Sequence, residues 1–132
     1  MAQPAARQND PVTGTDIHIV MVPAPSGAVP TPIPHPYVGT LSANTSPNVM
    51  VNGQPVATKD SMSKLASPHI PLGGGPFQRP PTGLGTVTTG SMTVQVNGRP
   101  MSRTGDPVKT CNDPVDQVTS AITGGSPNVV VG

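Results

Sequence analysis

Ser91-Met92-Thr93-Val94-Gln95-Val96-Asn97-Gly98-Arg99-Pro100-Met101-Ser102-Arg103-Thr104-Gly105-Asp106 is the stretch from which the fold is read. Val94 and Val96 alternate along an extended run, and Asn97-Gly98 supplies the backbone freedom of a two-residue primed turn. A second short extended run follows, so the stretch is a β-hairpin unit. A related unit runs from Ser46 to Asp60, with Val49-Met50-Val51-Asn52-Gly53-Gln54-Pro55 at its centre.

A third copy is divided between the two ends of the chain. Ser126-Pro127-Asn128-Val129-Val130-Val131-Gly132 reads as a first strand that stops where the turn belongs, and Pro4 to Asp10 aligns with Pro100 to Asp106 at Pro, Arg and Asp. A unit divided this way requires adjacent termini. The expectation is an all-β, closed arrangement with three similar sides, not an open solenoid with capping repeats. It forms a single domain over residues 1–132, with units at about 46–61, 90–106, and 126–132 joined with 3–10.

Composition sets the limits of such a fold. The 132 residues include 19 Pro and 15 Gly but one Phe, one Tyr and no Trp, which approaches the composition of disordered chains. The regular valines and turn glycines oppose that reading. Val49 and Val51, Val94 and Val96, and Val129 and Val131 are expected on one face of their strands, with Met50, Gln95 and Val130 on the other. Three such faces make a thin triangular core, at about 1.5–3 kcal/mol for each buried valine. Charge is sparse, with a formal net of +1, so neither nucleic acid nor an anionic membrane surface is an expected partner. No apolar run spans a bilayer, and Met1 to Arg7 lacks the apolar core of a secretory signal, so synthesis and folding in the cytoplasm are expected.

Between the units lie three connections, 11–45, 61–90 and 107–125, read as long Pro- and Gly-rich loops. Residues 17–22 are a candidate short strand and 114–122 a candidate helical turn. Pro34-His35-Pro36-Tyr37 reads as extended or turn, and a flexible proline-rich linker is its alternative. Gly73-Gly74-Gly75 lacks the Gly-Lys-Ser/Thr ending of a phosphate cradle and reads as a turn.

A small core needs a further staple, and the single cysteine excludes an internal disulfide. His18 follows Asp10, His69 follows Asp60 and Cys111 follows Asp106, so each side of the triangle sends one zinc-type ligand toward the same end. His35 completes a set of four. Imidazole and thiolate suit tetrahedral Zn²⁺, and four protein donors leave no open position, which makes the ion structural.

Pro4-Ala5-Ala6-Arg7, its degenerate versions Pro55-Val56-Ala57-Thr58 and Pro100-Met101-Ser102-Arg103, the Ser-Pro-x-Val-x-Val-Asn-Gly strands and Thr110-Cys111-Asn112-Asp113-Pro114 resemble the PAAR-repeat and PAAR-like proteins. The resemblance covers nearly the whole chain. It implies a pointed cone of short strands capping a trimeric VgrG-type spike protein in type VI secretion systems and phage-tail-like particles. It also implies a zinc ion held by three histidines and one cysteine, here His18, His35, His69 and Cys111. Arg is replaced by Thr58 in one unit and Ala-Ala by Met101-Ser102 in another.

Two other classes compete with this non-catalytic tip. A small zinc-dependent hydrolase or toxin effector needs an open coordination position and a base, for which Asp10, Asp16, Asp60, Asp106 and Asp113 are candidates. An adaptor that carries effector proteins to the spike is the third reading, by noncovalent attachment, since the sequence ends just after its last strand.

Overall fold

The computed structural model describes residues 2–132. Twelve strands follow in chain order: β1 (Gln3–Pro4), β2 (Pro11–Val22), β3 (Val29–Ala43), β4 (Met50–Val51), β5 (Gln54–Pro55), β6 (Met62–Leu65), β7 (Leu84–Val87), β8 (Gln95–Val96), β9 (Arg99–Pro100), β10 (Pro107–Thr110), β11 (Gln117–Ile122) and β12 (Val130–Val131). The described residues contain no helix.

The short units are β4–β5, β8–β9 and β1–β12, all antiparallel. Asn52-Gly53 and Asn97-Gly98 turn the first two with positive φ at both residues, as a primed hairpin turn demands. In the third, Gln3 stands opposite Val131 and Pro4 opposite Val130, which joins the two chain ends. A serine opens every unit in the same way. Ser46, Ser91 and Ser126 each accept the backbone N–H groups two and three residues ahead, the latter at 2.9 Å.

The second halves of the units meet in a ring. Ala6 N–H donates to Ser102 O, Ser102 N–H to Ala57 O, and Ala57 N–H to Ala6 O, each at 3.0 Å. These three residues are completely buried, and side chains on either side of the ring face opposite ways. Ala5, Val56 and Met101 pack with Val51, Val96 and Val131 in one core. Ala6 and Ala57 pack with Val12, Tyr37, Leu41, Val87, Val108 and Ile122 in another.

Beyond the ring, each of the three connections contains a strand hairpin. β2–β3, β6–β7 and β10–β11 are hairpins, and they close into a six-stranded barrel in the order β10-β11-β2-β3-β6-β7. The expectation of long loops is therefore corrected for 11–45 and 107–125, whereas residues 66–83 between β6 and β7 do form a long Pro- and Gly-rich connection. Pro30, Pro32, Pro34 and Pro36 lie at every second position of β3, opposite Met21, Ile19, Ile17 and Thr15 of β2. Spaced by two, their missing N–H groups all fall on the same edge, the one facing away from β2, so proline leaves the β2–β3 ladder intact. β3 pairs on that other edge with β6 only from Gly39 onward, after the prolines end. Gly14 and Gly39 sit where the strands approach too closely for a side chain: a Cβ would lie 2.4 Å from Thr119 O and from Lys64 O respectively.

Three local expectations also change. The candidate helical turn at 114–122 contains strand β11, because Ser120 to Ile122 pair with β2 and an isolated helical preference yields to that ladder. Val49 and Val94 are exposed and Val129 is half-buried, so only Val51, Val96 and Val131 enter the core. Two-residue strands end before the first valine of each pair can turn inward. The residue aligned with Asp10 and Asp106 is Ser61, not Asp60. Ser61 Oγ accepts Thr58 N–H at 2.9 Å, as the carboxylates accept Arg7 and Arg103 N–H at 2.7 Å. Asp60 shares the positive φ of Asn9 and Gly105.

Ala57 is fully buried in the ring and packs in the barrel core. Replacing Ala57 with Leu is expected to destabilise the fold by about 3 kcal/mol through overpacking, read from the midpoint of urea unfolding at unchanged slope.

Candidate metal centre

The barrel brings polar side chains together because β2 alternates. Val12, Asp16, His18 and Val20 are its buried positions, so Asp16 and His18 are neighbours on one inward face. β3 does the same with His35, Tyr37 and Leu41, and His35 stands directly opposite Asp16 in the ladder. Cys111 follows the last residue of β10, and His69 lies on the connection between β6 and β7. His18 and His69 follow Asp10 and Ser61 at the same distance, and each of the three barrel hairpins delivers at least one of these donors.

The ligand atoms of Asp16, His18, His69 and Cys111 all lie within 4.8 Å of one another. His18 Nε2 is 3.7 Å from Cys111 Sγ. Asp16 Oδ2 is 2.9 Å from His69 Nε2, 3.4 Å from Cys111 Sγ and 4.0 Å from His18 Nε2. The expected ligands His18, His69 and Cys111 therefore meet. His35 lies beside them, 1% exposed, with its ring centroid 5.7 Å from those of His18 and His69, which are themselves 4.9 Å apart. Its Nδ1 donates to Ile33 O at 2.8 Å, and its Nε2 accepts Leu72 N–H at 3.2 Å.

Electrostatics fit a cation at this point. Asp16 is fully buried, and among the described residues no Lys or Arg pairs with it. Burial pushes the Cys111 thiol up to about 11, with the charge of Asp16 acting in the same direction, so the sulfur becomes a thiolate only against a positive charge. Burial also lowers the His18 pKa, against the pull of Asp113, which leaves a neutral imidazole with a free lone pair. Imidazole, thiolate and carboxylate together are the donor set of zinc.

A second layer orients the first. Asp16 Oδ1 accepts from the hydroxyls of Thr110 and Thr119, the latter at 3.2 Å, and from Asn112 Nδ2 at 3.4 Å. Asn112 Oδ1 in turn accepts Ile17 N–H at 2.6 Å, which ties the Cys111 segment to β2. Asp113 Oδ2 accepts Ile19 N–H at 2.9 Å and lies 3.4 Å from His18 Nδ1, a buried atom without a hydrogen-bond partner. Arg79 grips Asp113 Oδ1 at 2.8 Å. Phe77 borders the centre from the segment that pairs alongside β2, its ring 5.6 Å from that of His18 and 5.3 Å from that of His35.

Sequence reasoning placed Asp16 only among candidate bases and gave Asp113 no part in a metal site. The available signal was Asp16-x-His18, the period at which a strand puts two side chains on one face. It has meaning only once residues 11–22 are known to be a strand.

No curated protein matches the chain. Residues 78–132 match the family model of the PAAR motif, a span that contains β8–β9, Pro100 to Asp106 and Cys111. The Pro4-Ala5-Ala6-Arg7 copy lies outside that span but is joined to it in space, since Ala5 pairs with Arg103 and Ala6 with Ser102. The C-terminal part of the chain thus carries the PAAR motif, and the N-terminal copy completes its ring.

Proposed function

We propose that this chain is the tip of the central spike of a contractile injection machine, a type VI secretion system or a phage-tail-like particle. In this reading it is a single domain over residues 1–132 whose three units, 46–61, 90–106 and 126–132 with 3–10, are related by pseudo-threefold symmetry. It is a pointed cone with the hairpin units at its base. The PAAR motif over residues 78–132 carries the proposal.

The base seats on a trimeric VgrG-type spike protein, one tip per trimer. Three near-equivalent sides can each meet one subunit, although the chain itself is a single polypeptide. The outward positions of β4, β8 and β12 are Met50, Gln95 and Val130; Met50 is 53% and Val130 64% exposed. Such residues, with the open edges of two-residue strands, supply apolar contact and strand pairing. The assembled particle carries the tip out of the cytoplasm where it was made, and the target membrane is met only during piercing. Effector proteins attach without covalent linkage.

The metal is structural zinc, held by Cys111 and the imidazoles of His18, His35 and His69. Three imidazoles on one zinc place their centroids about 5 Å apart, and the observed separations of 4.9, 5.7 and 5.7 Å support the inclusion of His35. His35 then gives up the Leu72 amide proton for the ion. The ion fastens the three barrel hairpins to one another in a molecule with little aromatic core. The role is non-catalytic: the donors are buried, which favours a closed centre over one open to substrate.

Purified protein is expected to hold about one zinc per chain, and free zinc at 1,000 times its dissociation constant to add about 4 kcal/mol to stability. Cys111→Ser is expected to lose the metal and to unfold at chelator concentrations that the parent survives; an equally stable, metal-free parent would contradict the proposal. On the partner side, Met50→Asp with Val130→Asp is expected to abolish co-purification with the trimeric spike protein while zinc content stays unchanged. Undiminished capping by the double variant would remove the base as the docking face.

A further inference from the structure

We propose that the proline row of β3 is a docking surface for another protein, one that presents Trp or Tyr side chains. The inference rests on the β2–β3 pair alone and stands apart from the spike and metal readings.

Pro30, Pro32, Pro34 and Pro36 alternate with Thr31, Ile33 and His35. Alternation turns His35 and Tyr37 into the barrel and every one of these proline rings to solvent. Val38, 56% exposed, continues the row. Across the ladder, Met21, Ile19 and Ile17 stand half-buried opposite Pro30, Pro32 and Pro34. From Ile17 to Val38 the ionisable side chains are those of His18, His35 and Tyr37, and all three are buried. The outward face is thus apolar and carries no charge. Its shape is fixed, because each proline ring holds its own φ and restricts the residue before it.

The free edge of this face has a single polarity. In an antiparallel strand the N–H and C=O of one residue point the same way, so the prolines turn four carbonyls outward with no N–H beside them. Val38, two residues on, shows that direction: its carbonyl accepts Ala66 N–H at 3.0 Å. Among the described residues nothing donates to the carbonyls of Pro30, Pro32, Pro34 or Pro36.

An apolar row beside a file of bare acceptors selects its occupant. Lipid chains match the rings but carry no donor, and burying an unpaired carbonyl is unfavourable. A second copy of this chain has no exposed aromatic donor, since its one Tyr is buried and it has no Trp. Indole and phenol meet both requirements, with a flat apolar ring to lie on pyrrolidine and an N–H or O–H to reach the adjacent carbonyl. Grooves that recognise proline-rich peptides use the same complementarity. Here the row has the two-residue period of a strand, not the three-residue turn of a polyproline helix, so it fits aromatic side chains about 6.5–7 Å apart. A single edge proline is enough to interrupt strand pairing; four in register make a surface.

The test titrates the full-length protein, its proline signals assigned in ¹H–¹³C spectra, with indole and with 1-methylindole, which keeps the ring and lacks the donor. Saturable ring-current shifts are expected at Pro30, Pro32, Pro34 and Pro36, with 1-methylindole binding about 2–10-fold more weakly for want of one hydrogen bond. Pro32→Thr with Pro34→Thr removes the two central rings and returns two N–H groups to the edge, and is expected to lose these shifts while the spectrum elsewhere stays that of the parent. If the double variant does not fold, the two ligands compared on the parent decide the matter. Shifts scattered over the whole surface, or equal affinity for both ligands, overturn the proposal. Binding to phosphatidylcholine–phosphatidylglycerol vesicles that the double variant abolishes, without indole shifts in the row, assigns the face to lipid and also overturns it. A dimer in sedimentation that the double variant abolishes assigns the face to a second copy, with the same consequence.

Discussion

Three backbone hydrogen bonds, Ala6 to Ser102, Ser102 to Ala57 and Ala57 to Ala6, hold this molecule in its topology. Each joins segments that are far apart in the chain, so together they bring the two ends and the middle to one point. The residues that bond in the ring, Ala6, Ala57 and Ser102, all have small, fully buried side chains, whereas Ala5, Val56 and Met101 before them point into the hairpin-side core. A bulkier residue on the inner face has no direction in which to move. Because successive side chains alternate, the same ring separates a valine-rich core on the hairpin side from the barrel core that holds Tyr37 and Leu41.

The closing residue of each unit sends the chain from the ring into the barrel by the same pair of bonds. Asp10 O, Ser61 O and Asp106 O accept from Leu41, Val87 and Ile122, whose carbonyls accept from Asn9, Asp60 and Gly105. The barrel is thereby built from three hairpins of unequal length, and the longest, β2–β3, carries two of the expected metal donors. Proline, which normally weakens strands, is compatible with β3 because its alternate spacing removes donors from one edge only. It also leaves that edge unable to pair with a stray strand over residues 30–36.

The donor cluster supplies in electrostatics what the hydrophobic cores lack in size. Asp16 is buried with no Lys or Arg partner among the described residues, and burial together with the charge of Asp16 holds Cys111 as a thiol. Each of these is unfavourable alone, and a single dication at this point would compensate both. The surrounding Thr110, Asn112, Thr119, Asp113 and Arg79 convert what would be a loose group of donors into a fixed one.

Local signals alone determined the two continuous hairpin units, the unit shared between the chain ends, the absence of an internal disulfide, and the convergence of His18, His69 and Cys111. Asn-Gly turns, alternating valines and repeat register operate over a few residues, so they can be read along the chain. Tertiary structure alone decided that the strand expected at 17–22 begins at Pro11, that residues 29–43 and 117–122 are barrel strands, that Val49 and Val94 stay outside the core, and that Asp16 faces His18, His69 and Cys111. Those outcomes depend on ladder partners many residues away: β11 is a strand because β2 and β10 flank it, and Asp16 turns inward because β2 is extended. Strand pairing of this kind is a property of the closed molecule, and no stretch of the sequence contains it by itself.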